Sequence, residues 1–133
     1  MTRADAPERA TILVVDDDAD LASILQMMLV HGGYVVHVAT SGQDALNWLN
    51  VNRPDLILLD LMMPDISGFT ILRKMRASDR HASMPIVVLT AKADPKTRDE
   101  TRDAGASEFL TKPINAQSLL DHVRRALAAR GGQ

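Results

Sequence analysis

The chain has 133 residues, 46% hydrophobic and 24% charged, enough for one domain with a buried core and too apolar for a disordered tail or a fibre. A formal net charge of −2 advertises neither nucleic acid nor an anionic membrane surface as a partner. There is no cysteine, so disulfides and thiolate metal sites are excluded, and no apolar run approaches the roughly 20 residues of a membrane span. Residues 1–10 lack the apolar centre of a secretory signal and read as a flexible polar tail. The domain is expected over 11–129, with 130–133 as a frayed end, in a cytoplasmic setting.

The first apolar run, residues 12–15, reads as a strand. Leu21, Ile24, Leu25, Met28 and Leu29 then recur at helical spacing, forming one stripe for burial, and Gly32-Gly33 closes that helix with residues that tolerate the left-handed conformation. Residues 35–38 form the next strand. Ser41-Gly42-Gln43-Asp44 opens a helix that contains Ala45, Leu46 and Leu49 and ends before Pro54. Residues 56–59 are the third strand, and Ile71, Leu72 and Met75 supply the buried face of a third helix. Residues 86–89 are the fourth strand. The helix at 95–104 starts well with Asp94-Pro95 but carries almost no large apolar residue. Its like-charged pairs Arg98/Arg102 and Asp99/Asp103 cost about 0.2–0.5 kcal/mol each, partly offset by Asp99 with Arg102. It is expected to be the least firmly held. A short strand at 109–110 precedes a last helix capped near Asn115 that buries Leu119, Leu120, Val123 and Leu127.

Runs 12–15, 56–59 and 86–89 are nearly continuous Val, Ile and Leu, as in strands covered on both faces. Five strand–helix alternations with short connections give an α/β fold, a flavodoxin-like doubly wound (βα)5 domain. Its five-stranded parallel sheet would run in the order 2-1-3-4-5, with helices on both faces.

Polar residues that a core does not need stand at four strand ends. Asp16-Asp17-Asp18 follow the first strand, Asp60 closes the third, Thr90 follows the fourth and Lys112 the fifth. All fall at the carboxyl edge of the sheet, where ligands of open α/β folds bind. Several carboxylates in one desolvated pocket repel each other, and a hard divalent cation with oxygen ligands relieves this. Lysine and threonine beside them suit an anion that follows the metal, a phosphoryl group, which a carboxylate can accept.

Ile12-Leu13-Val14-Val15-Asp16-Asp17-Asp18 and Leu58-Leu59-Asp60-Leu61-Met62-Met63-Pro64-Asp65 with Gly68 are the first two motifs of this kind. Val88-Leu89-Thr90-Ala91 and Phe109-Leu110-Thr111-Lys112-Pro113 complete the set. In this order and spacing they resemble the CheY-like receiver domains of two-component response regulators, over about residues 11–128. The resemblance implies Asp60 as phosphoryl acceptor. It implies Mg2+ held by Asp16, Asp17 and Asp60 with the backbone carbonyl of Met62, Asp17 being the more direct ligand of the acidic pair. It implies Lys112 as the partner of the phosphoryl oxygens, before a cis bond to Pro113. Thr90 and Phe109 correspond to the switch pair, Thr90 turning toward the phosphorylated group and Phe109 filling the space it leaves. A protein-interaction surface around 90–125 would change with them.

The function implied is a phosphorelay module that catalyses its own phosphorylation and dephosphorylation without being a turnover enzyme. Its donor would be a sensor histidine kinase, a phosphotransfer protein or a small phosphodonor. It would contact a downstream protein target or output domain, no nucleic acid directly and no membrane, as a monomer or a phosphorylation-dependent dimer. No organic cofactor is expected.

Two other classes compete. A magnesium-dependent aspartyl-phosphate phosphatase or phosphotransferase would want a second acid two residues after the nucleophile, where Met62 stands. A phosphorylation-independent binding module on the same fold, for a flavin or dinucleotide, would want a glycine-rich first turn, where Asp16-Asp17-Asp18 stands. Asp18 serves equally well as a helix cap, and Thr90 could cap a helix entry. Met27-Met28 and Met62-Met63 read as gap-filling core or interface residues and Trp48 as a partly exposed packing residue. His31, His37, His81 and His122 have no metal-ligand spacing. The clusters Arg73, Lys74, Arg76 and Arg124, Arg125, Arg130 read as solvated helix faces.

Overall fold

The computed structural model describes residues 9–92 and 94–131; residues 1–8 of the tail expected over 1–10, and residues 132–133 of the frayed end expected over 130–133, lie outside them. The elements alternate as β1 (Thr11–Val15), α1 (Ala19–His31), β2 (Val35–Ala39), α2 (Gly42–Val51) and β3 (Leu56–Asp60), then α3 (Gly68–Ala77), β4 (Ile86–Thr90), α4 (Pro95–Asp103), β5 (Glu108–Thr111) and α5 (Ala116–Gly131). All four strand pairings are parallel, in the order β2-β1-β3-β4-β5. This is the flavodoxin-like sheet expected from the sequence.

Strand ends differ from the apolar runs in a consistent way. Each strand extends past its run, β3 through Asp60, β4 through Thr90 and β5 from Glu108 to Thr111. Backbone pairing continues where hydrophobicity stops, so polar residues are carried on the sheet's edge as part of the ladder.

The helices start where short polar side chains can accept from their first free amides. Asp18 accepts from Leu21 N at 3.1 Å, Ser41 from Asp44 N at 3.0 Å and Ser67 from Thr70 N at 3.2 Å. Asp94 accepts from Thr97 N at 3.1 Å and Asn115 from Ser118 N at 2.8 Å. Asp18 is therefore the cap of α1. Gly33, at φ +100°, takes the left-handed turn after α1, while Gly32 keeps a right-handed conformation.

The sheet separates two hydrophobic layers. One joins Leu13, Val15, Ile57, Leu59 and Val88 to Ala45 and Leu49 of α2 and to Ile71, Leu72 and Met75 of α3. The other joins Ile12, Val14, Leu56, Leu58, Leu89 and Leu110 to Ala22, Leu25 and Leu29 of α1 and to Leu119 and Val123 of α5. The buried stripe of α1 runs through Ala22 rather than Ile24, which is 48% exposed. Met63 is core as expected, but Met27 and Met62 are exposed and fill no gap. Trp48 is half-buried and stacks on His37 with ring centroids 4.8 Å apart.

Arg76 corrects another expectation. It is half-buried rather than part of a solvated face, donating from Nε to the Gly105 carbonyl at 2.9 Å and from Nη1 to the His81 carbonyl at 3.1 Å. Burial lowers its pKa from the ordinary arginine value. His81 is buried too, and its pKa is lowered by burial and by the nearby charges of Arg80 and Arg53.

Ile57 sits on the central strand with no exposed surface. Ile57→Ala is expected to lower the unfolding free energy by about 2–5 kcal/mol, read as a fall in the urea midpoint at unchanged slope.

Candidate functional site

Strand alternation sorts the polar strand-end residues onto two sides of the sheet. Asp16 follows Ile12 and Val14, Asp60 follows Leu56 and Leu58, and Lys112 follows Leu110, all of the layer under α1 and α5. Thr90 follows Val88 and shares the opposite layer with Phe109, which pairs with Val88 across β4 and β5.

The first set converges. Carboxylate oxygens of Asp16, Asp17 and Asp60 lie within 4.8 Å of one another, with Asp16 and Asp60 buried and Asp17 exposed. Lys112 Nζ stands 3.3 Å from Asp60 Oδ2 and 3.4 Å from Asp16 Oδ2. It follows β5 directly, and the Lys112–Pro113 peptide is cis, as the resemblance implied. Asp60 Oδ1 accepts from the Met62 N–H at 3.1 Å, and Asp16 Oδ1 from the Asp18 N–H at 2.9 Å. Asp16 Oδ2 is buried and receives no hydrogen bond, only the nearby lysine charge.

The electrostatics follow from this crowding. Desolvation raises the Asp60 pKa above the usual carboxylate value, and the charge of Asp16 adds to it. The Met62 N–H and Lys112 pull the other way and do not cancel the effect. Burial works against the Lys112 ammonium, yet Asp60 and Asp16 outweigh it and hold its pKa above the ordinary lysine value. One lysine thus serves two buried carboxylates, with a third at the rim. A hard divalent cation suits three carboxylate oxygens, one of them buried without a donor, so the residues fit a magnesium-type ion.

The second set holds a different geometry. Thr90 is fully buried, and its Oγ1 accepts from the Lys92 N–H at 3.1 Å. Phe109 is half-buried at the edge of the layer shared with α2 and α3, with the Arg98 guanidinium 5.1 Å from its ring centroid. The α4 helix buries only Thr97 and Thr101, as its composition led one to expect, and Asp99 pairs with Arg102 at 3.0 Å.

Supporting residues were partly missed by sequence reasoning. Asp65 reaches across from the β3–α3 loop and accepts from Gly42 N and Gln43 N, each at 3.1 Å. It thereby anchors the loop that carries Met62 to the first turn of α2, and the bonds from Ile66, Gln43 and Gly42 lower its pKa. An acid 23 residues from a helix start gives no local sign of capping it. Gly68 is required for closeness: a Cβ there would lie 2.4 Å from the Asp60 carbonyl oxygen and 2.6 Å from Leu61 Cα. The start of α3 therefore rests directly on the backbone that presents Asp60.

The model of the response regulator receiver domain matches residues 12–124. The chain is 39% identical over 116 residues to the response regulator ArlR of Staphylococcus aureus, covering 87% of this chain and 52% of that protein. It is 35% identical over 116 residues to the DNA-binding dual master transcriptional regulator RpaA of Synechocystis, covering 87% of this chain and 48% of that one. It thus spans about half the length of these two relatives. Among solved structures, the chemotaxis protein CheY4 of Vibrio cholerae superposes with a TM-score of 0.85 at 31% identity, over 90% of this chain and 99% of the other. The receiver domain of a signal transduction histidine kinase from Syntrophus aciditrophicus gives 0.83 at 32% identity, over 90% and 91%. The chain belongs to the response regulator receiver domain family of two-component systems.

A raised Asp60 pKa has a signed consequence for stability. Its contribution is complete below the unfolded-state pKa and is lost as pH rises through the higher folded value. In metal-free buffer Asp60→Asn is therefore expected to unfold at higher urea than wild type around pH 7, the two midpoints converging below about pH 4. Equal midpoints across the range would mean that Asp60 is not electrostatically burdened.

Proposed function

We propose that the chain is a phosphorylation-dependent switch of a two-component relay, accepting a phosphoryl group on Asp60. The observation that carries this reading is one buried carboxylate, Asp60, with two further carboxylates within 4.8 Å and an ammonium at 3.3 Å. Its donor would be the phosphohistidine of a sensor kinase or phosphotransfer protein, or a small acyl phosphate.

In the transfer, a carboxylate oxygen of Asp60 forms a bond to phosphorus. The bond from phosphorus to the donor's nitrogen or oxygen breaks, and its electron pair leaves with the donor. Hydrolysis of the resulting mixed anhydride returns Asp60 and inorganic phosphate. Asp16, Asp17, Asp60 and the Met62 carbonyl would hold Mg2+, which when bound neutralises charge on the carboxylates and the phosphoryl oxygens. Lys112, already between Asp60 and Asp16, would turn its ammonium to the phosphoryl oxygens. Burial of Asp60 restricts water access to the reacting atoms. The Met62 N–H fixes Oδ1 of Asp60, while Oδ2 faces Lys112 and would be freed for bonding as the ammonium turns to the phosphoryl oxygens.

The product carries about −1.5 to −2 charges at Asp60. Thr90 would exchange its bond from Lys92 N for one to the phosphoryl group, and Phe109, in the same layer, would move into the space released. Because α4 buries so little, it would follow at small cost and change the surface around 90–125 that a protein partner reads. The cytoplasm, with its phosphodonors and magnesium, is the compartment this chemistry requires. Among the described residues no helix is long and apolar enough to cross a membrane.

A turnover phosphatase is less well supported. Met62, exposed two residues after Asp60, offers no acid for the leaving group. A flavin or dinucleotide would meet Asp16, Asp17 and Asp18 where its phosphate should sit.

Intact mass after incubation with acetyl phosphate is the test. One hydroxylamine-labile phosphoryl adduct is expected with magnesium, greatly reduced without it and absent from Asp60→Asn. An adduct that persists in Asp60→Asn would move the acceptor elsewhere, and no adduct under any condition would count against the reading.

A further inference from the structure

The α4 helix is held to the sheet by unusually little. Its two buried residues are threonines whose hydroxyls bond within its own segment: Thr97 Oγ1 donates to Asp94 Oδ1 at 2.7 Å, and Thr101 Oγ1 donates to the Thr97 carbonyl at 2.7 Å. Neither hydroxyl is directed at β4 or β5. The remaining side chains of Pro95–Asp103 are exposed. Against that background the Arg98 guanidinium of α4 lies 5.1 Å from the ring centroid of Phe109 in β5. Among the described residues no carboxylate pairs with Arg98, whereas its neighbour Arg102 is engaged by Asp99 at 3.0 Å. The pair borders a groove of about 340 Å³ whose other walls include Ser107 and His122. The ring is thus not enclosed on that side, and the arginine serves as its cover.

We propose that Arg98 is a positioning residue for the switch. Lying over the half-buried Phe109 ring, it holds the ring in its resting place and α4 against β5, and so opposes the phosphorylated arrangement. The proposal rests on the phosphoacceptor reading of Asp60 and adds to it the element that sets the resting state. A contact made only in the resting arrangement biases the equilibrium by its own strength, which for a partly exposed cation over an aromatic face amounts to about two- to five-fold. Removing it should leave the acidic pocket intact, because Arg98 touches none of Asp16, Asp17, Asp60 or Lys112.

The experiment compares wild type, Arg98→Gln and Arg98→Lys, each also in a Phe109→Ala background. Phosphorylation by acetyl phosphate with magnesium is followed by intact mass, and the Phe109 ring by NMR without phosphodonor. Arg98→Gln is expected to be phosphorylated about two- to five-fold faster. Its ring signals should be displaced toward those of the phosphorylated wild type before any donor is added, with Arg98→Lys close to wild type. In the Phe109→Ala background the charge removal should have no effect, since a double-mutant cycle isolates the pair. Unchanged ring signals and rate in Arg98→Gln, or an equal acceleration without the ring, would overturn the proposal. Failure of wild type to take any phosphoryl group would strike the underlying reading instead, and the ring displacement in the unphosphorylated protein would still decide whether Arg98 positions Phe109.

Discussion

Two buried carboxylates, Asp16 and Asp60, share a single ammonium at 3.4 and 3.3 Å, and the rest of the domain is arranged around that imbalance. A buried charge is tolerated when it is paired and hydrogen-bonded. Asp60 has Lys112 and the Met62 N–H, while Asp16 keeps one oxygen without a donor. The sheet makes this possible. Leu56–Asp60 is buried along its whole length, so the acid is delivered by a rigid strand rather than by a mobile loop. Gly68 lets α3 begin against the same backbone, and Asp65 ties the following loop to α2. An acid so placed cannot relax by moving away from its neighbours. A cation bound among these carboxylates would relieve that crowding.

The two faces of the sheet divide the labour. Residues that would perform the chemistry alternate onto the side of α1 and α5, and residues that would report it alternate onto the side of α3 and α4. Only the strand ends join the two, through β3 and β4, where Asp60 pairs with Leu89 next to Thr90. On the second side α3 is firmly packed through Ile71 and Leu72, and α4 is the weakly held element. A helix anchored by two threonines, a few backbone bonds and an arginine over a ring can shift for little free energy, whereas α1, with Leu25 and Leu29 fully buried, cannot.

Much of this was legible in the sequence because it depends on periodicity and punctuation. Continuous apolar runs marked β1, β3 and β4, and caps such as Ser41 and Asn115 marked helix starts. The acids stood out because each interrupted or ended a run of Val and Leu. The poor face of α4 was visible for the same reason. What escaped notice depends on contacts between distant segments. Asp65 looks like a loop acid until α2 arrives beside it, and Arg76 looks like part of a charged helix face until the Gly105 and His81 carbonyls close on it. Ile24 fitted the helical stripe on spacing alone, but the buried face of α1 centres on Ala22, Leu25 and Leu29 and leaves Ile24 outside it. Arg98 is one exposed arginine among several, and only the fold puts it over Phe109.

The account stands most directly on whether the acidic cluster binds a divalent cation because of its crowded charge. Thermal unfolding of wild type and Asp16→Asn across a magnesium titration, at constant ionic strength, decides it. The wild-type unfolding free energy should grow with magnesium as RT ln(1 + [Mg2+]/Kd), raising the midpoint with it, and Asp16→Asn should start more stable and respond far less. A wild-type midpoint indifferent to magnesium, or an equal climb in Asp16→Asn, would contradict the central role given to these carboxylates.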